Sequence, residues 1–127
     1  MEQPNESLME LAFLALDHGI ESVAGGGPLI PFVISQDPEG RTLTRFVADT
    51  LEEGVAQAQD HVATLPSPVT AYAIAHDGYL TIDGQRADAI LVEVGERSAA
   101  RGHAFAQRYK PKKGLFGKFA IVGNAAL

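Results

Sequence analysis

Three stretches in the second half of the chain alternate small and large side chains with a period of two. In residues 71–76, Ala71, Ala73 and Ala75 alternate with Tyr72, Ile74 and His76. In 88–94, Ala89 and Leu91 alternate with Ile90, Val92 and Val94, and in 102–109, Gly102, Ala104 and Ala106 alternate with His103, Phe105 and Tyr109. Successive side chains of a strand point to opposite faces, so three such strands in register predict a sheet with one small face and one bulky face. On that pattern Ala73, Ala75, Ala89, Ala104 and Ala106 form a single surface, buried under a helix or a second subunit.

The first half reads as helix, hairpin, helix. Residues 6–22 open with acids, which the helix dipole favours, and continue with good helix formers. Their apolar positions, Leu8, Met9 and Leu11 through Leu16, wrap most of the circumference, which predicts burial on more than one side. Gly25-Gly26-Gly27-Pro28 ends the helix. The β-like runs 30–36 and 41–48 flank the turn-forming Asp37-Pro38-Glu39-Gly40 and read as a hairpin. Asp49 or Thr50 then caps a helix over 50–64, whose single apolar stripe is Leu51, Val55, Ala58, Val62 and Leu65. Asp77-Gly78 and Asp83-Gly84 are both hairpin-turn dipeptides, too close together for both to reverse the chain, so one is expected to be a bulge or wide turn. Strands over 87–94, 101–109 and 119–123 complete the chain.

These elements predict one α+β domain spanning residues 1–127, built as two layers, with an antiparallel sheet and two helices in the order α-β-β-α-β-β-β(-β). The antiparallel sense follows from connections too short for parallel crossovers. In element order, without a residue motif behind it, the chain resembles roadblock-type dimeric scaffold domains, and that resemblance implies a dimer.

Composition narrows the classes. The chain has 127 residues, 46% hydrophobic and 20% charged, with neither Trp nor Cys. This is globular composition of a size that buries a real core. Without Cys there are no disulfides and no thiolate chemistry, which fits a cytoplasmic location. The longest apolar run, residues 11–16, is far too short to span a bilayer, and acids precede it where a secretory signal would be basic, so a soluble, unexported protein is expected. The net charge of −6 disfavours nucleic acid. It is also uneven: residues 1–60 hold 11 acids and 2 bases, giving −9, whereas 61–127 hold 5 acids and 8 bases, giving +3.

Candidate chemistry is sparse. The glycine triplet follows a helix and precedes a strand, the reverse of a phosphate-binding loop, and no serine sits in a nucleophile elbow. His76 and His103 fall on the expected bulky face, and Asp88 shares its parity; two imidazoles and a carboxylate there would suit a divalent metal or a general base with its orienting group. Lys110, Lys112 and Lys113 form a basic loop that would dock an acidic surface. No cofactor is expected. The first reading is therefore a small cytoplasmic, non-enzymatic domain that self-associates as a homodimer and binds a protein partner, covering apolar surface that two helices leave bare. The alternative is a small-ligand or metal-binding protein, possibly a hydrolase, with its pocket on the bulky sheet face.

Overall fold

The computed structural model describes residues 6–26, 28–97 and 102–110, with the backbone of 120–126. Helix α1 (Glu6–Ala24) precedes β1 (Phe32–Asp37) and β2 (Gly40–Arg45). Helix α2 (Leu51–Ala63) leads into β3 (Ala71–Ile82), β4 (Gln85–Glu96), β5 (His103–Lys110) and β6 (Ala120–Ala126). All strand pairs are antiparallel, in the order β2-β1-β3-β4-β5-β6. The α+β class and the order of elements are those expected from the sequence.

Local chemistry accounts for the boundaries. Asp37 turns the first hairpin by accepting hydrogen bonds from the backbone N–H groups of Glu39 and Gly40, at 2.8 and 3.0 Å. Thr50 caps α2, its hydroxyl accepting from the Glu53 N–H at 3.1 Å, and Glu52 and Glu53 occupy the first turn where the dipole favours them. At Asp83-Gly84 both residues have positive φ, 51° and 77°, the conformation of a two-residue turn whose twist matches the strands it joins. From there β3 and β4 pair without interruption, from Ile82 opposite Gln85 to Ala71 opposite Glu96. Asp77-Gly78 therefore lies inside a strand and is neither bulge nor turn, because the tight turn at 83–84 carries the whole chain reversal.

The two helices lie on opposite faces, so the sheet is the middle of three layers at β3, where a two-layer arrangement was expected. On one face α1 contributes Leu8, Leu11, Ala12, Ala15, Leu16 and Val23. The sheet answers with Phe32 and Ile34 of β1, Ala71, Ala73 and Ala75 of β3, Ile90, Val92 and Val94 of β4, and Phe105 and Tyr109 of β5. The alanine column lies between two bulky columns and makes a trough in which α1 sits. On the other face α2 places Ala58 and Val62 against Val33, Ile74, Tyr72 and Phe46.

This arrangement overturns the expectation of one small face and one bulky face. Ala73 stands opposite Val94, Ala75 opposite Val92, and Val92 opposite Phe105, so the small set of β3 shares a face with the bulky sets of β4 and β5. Alternation within a strand says which residues share a side; which sides coincide is set by the length of the connection. Ala73 and Ala75 are buried under α1 as expected, whereas Ala89, Ala104 and Ala106 lie on the face away from α1, where Ala89 is buried, Ala106 half-buried and Ala104 exposed.

Candidate functional site

The open part of the α2-side face holds the most distinctive surface of the described residues. The strands β3 and β4 run well past the end of β1, which pairs only with residues 71–75 of β3. This leaves a region beyond α2's sheet contacts, Val33, Ile74 and Tyr72. Here a depression of about 380 Å³ is lined by His76 and Leu80 of β3, Leu91 and Glu93 of β4, and Ala104 and Ala106 of β5. Val92 and Phe105, whose side chains belong to the opposite core, complete its walls. The rows across the strands are His76–Leu91–Ala106 and, one step along, Ile74–Glu93–Ala104.

Two glycines shape this surface. A Cβ on Gly78 would lie 2.6 Å from Leu91 Cδ1, and one on Gly95 would lie 2.6 Å from the Tyr72 hydroxyl. Leu91 therefore leans over β3 and away from β5, so the depression opens above Ala104 and Ala106. Tyr72 leans across β4; burial, and then the negative charge of Glu93, raise its phenol above the ordinary value, so it remains a neutral donor at physiological pH. His76 Nδ1 lies 3.1 Å from the Asp77 carbonyl, which can only accept, so Nδ1 is the donor of that contact.

A second groove, about 340 Å³, lies at the start of α1 and is lined by Ser7, Gln36, Ser67, Thr70, Glu96 and Arg97 among others. Its side chains join elements together: Gln36 donates to Ser7 at 3.2 Å and accepts from Arg41 at 2.9 Å, and Arg97 Nε donates to the Leu65 carbonyl at 3.2 Å. On the α1 side, the Tyr109 hydroxyl crosses β4 to donate to Asp77 Oδ1 at 2.7 Å. Burial foremost, then that hydrogen bond and the charges of Asp77 and Asp88, raise its phenol well above the ordinary range. The folded form holds this proton more tightly than the unfolded chain does. Its contribution to stability is accordingly complete below about pH 10 and is lost as pH rises from there through the raised value.

The structure separates the residues singled out from sequence. His76 is in the depression, whereas Asp88 and His103 share the parity of Ile90, Val94 and Phe105 and belong to the α1 side. The proposed trio depended on the three strands having their bulky sets on one face, and β3 has the opposite parity. No group of three or more His, Asp or Glu that could hold a metal occurs among the described residues. Lys110 is exposed at the end of β5, and Lys112 and Lys113 lie outside the described residues. Sequence reasoning missed Leu91, Glu93 and Arg108 as surface neighbours; Gly78 inside a strand was a signal for Leu91 alone, because it marks a place where a neighbouring side chain lies over the backbone.

No protein-family model matches the chain, and neither a curated protein nor a solved structure is significantly similar to it. The resemblance to roadblock-type domains remains one of element order. Among the described residues no helix is long and apolar enough to cross a membrane.

Proposed function

We propose that this protein is a small, cytoplasmic, non-enzymatic domain that self-associates and binds a protein partner. The observation that carries this reading is the open surface around Leu80, Leu91, Ala104 and Ala106, an apolar part of the sheet that lies beyond the regions α1 and α2 cover. Contiguous apolar patches of this kind on soluble proteins mark interaction sites. The outward side of α1 is a different surface: Phe13 and Leu14 are 47% and 40% exposed, beside the exposed acids Glu6, Glu10, Asp17 and Glu21. Like charge opposes pairing of this helix with its own copy, so it suits a partner with a basic rim.

The depression also has the volume of a small-molecule site, with His76 in its lining, and that favours the ligand-binding reading as second choice. Sedimentation equilibrium at micromolar concentration separates the two. Self-association gives about twice the 13.5 kDa chain mass, reduced to the single-chain mass by Leu91→Asp, which sets a charge in the centre of the surface. A mass of 13.5 kDa at every concentration rejects self-association and leaves the depression to a small ligand.

A further inference from the structure

We infer that the open half-face pairs with the same face of a second copy in a two-fold arrangement whose register is set by Glu93 of each chain meeting Arg108 of the other. The inference rests on the self-association reading and adds to it the orientation of the copies and the residues that specify it.

Three observations point to it. First, the face is polar at both ends and apolar between. Along β5 the residues on this side are Ala104, Ala106, Arg108 and the exposed Lys110, with Glu93 opposite Ala104, Leu91 opposite Ala106 and Ala89 opposite Arg108. Glu93 and Arg108 are thus four residues apart along the strand direction, roughly 13 Å. Second, among the described residues neither charge is neutralised by an ion pair: the one ion pair is Arg41–Glu10, and the charge of Glu93 acts only on the neutral phenol of Tyr72. Third, the side chains between them are short at Ala104 and Ala106, and Leu91 is drawn aside over Gly78, so a facing surface can approach.

A charge pattern of minus, apolar, plus is complementary to itself when turned end for end. In an isologous contact residue i of one copy meets j of the other, and j meets i, so one rotation makes both ion pairs and closes the assembly at two chains. An axis through the row of Leu91 and Ala106 brings these residues against their own counterparts and sets Arg108 of each copy over the Ala104–Glu93 row of the other. The arginine stem would cover Ala104 while its guanidinium reaches the carboxylate. Sheets packed face to face lie about 10 Å apart, a gap that Glu and Arg side chains span together. The half of β3 beyond residue 75 lies clear of β1, which leaves space beside the contact for the second copy.

Charge exchange tests the pairing. Glu93→Arg sets a base and Arg108→Glu an acid at both of these positions; each variant alone should dimerise at least about tenfold more weakly than the parent at low salt, since each breaks two symmetric pairs and places like charges together. The double variant E93R/R108E should recover dimerisation, and an equimolar mixture of the two single variants should form a mixed dimer, which also shows that both are folded. If the parent dimerises but the single variants dimerise equally well, or neither the double variant nor the mixture recovers, the register is wrong while self-association stands. A parent that remains monomeric overturns both.

Discussion

Phe32→Ala is expected to lower the stability of the domain by about 3–5 kcal/mol, the usual range for removing a fully buried aromatic side chain. Phe32 has no exposed surface, flanks Ala75 at the centre of the sheet, and meets the edge of the His18 ring with centroids 5.0 Å apart. It is one of the bulky residues forming the walls of the trough that holds α1. Its loss leaves a cavity that neither the alanine column nor the strand-bound backbone can collapse to fill. Against a total stability of about 5–15 kcal/mol, such a loss leaves part of the population unfolded at 37 °C in a domain at the lower end of that range. Since the chain has no Trp, urea unfolding followed by far-ultraviolet circular dichroism is the suitable measurement. The midpoint should fall with an unchanged slope. A loss below about 1 kcal/mol would show that β1 is not central to the core.

Ala73→Leu should destabilise by overpacking, at about 1–3 kcal/mol, because it raises the floor of the trough directly beneath α1. Ala73 has no exposed surface and lies between Ile34 and Val94. Ala104→Leu, the same chemical change on the open face, should alter the stability of the isolated chain by no more than about 0.5 kcal/mol. Both alanines occupy small positions of a small/large alternation, so the comparison isolates the effect of the face. If Ala104→Leu proves the costlier of the two under dilute conditions, the assignment of covered and open faces is reversed.

That pair of alanines also marks where the sequence is legible and where it is not. The helices, the hairpins and the antiparallel sheet follow from periodicity, caps and turn residues, all of which act within about ten residues. The Asp37 turn is read directly, whereas the sequence offers Asp49 beside Thr50 as the cap of α2 and Asp77-Gly78 beside Asp83-Gly84 as the turn. Parity between strands is not legible: Asp77-Gly78 looks like a turn until Leu91 is seen to lie over it, and the register of β3 on β4 depends on which dipeptide reverses the chain. His76, Asp88 and His103 were grouped by the same parity and separated by the same register. Leu91 and Glu93, which form the open surface with His76, carry no motif; what defines them is the absence of a helix above that part of the sheet.

The chain contains no Cys, so a single introduced thiol reports without background on what faces this surface. The most direct test places it at Ala106, in the row through which the two-fold axis is proposed to pass, and treats dilute protein with a short bismaleimide. The account predicts a covalent dimer of twice the 13.5 kDa chain mass for Ala106→Cys, and little or none for Glu52→Cys on the exposed first turn of α2. Equal cross-linking at the two positions, or none at Ala106, would contradict it.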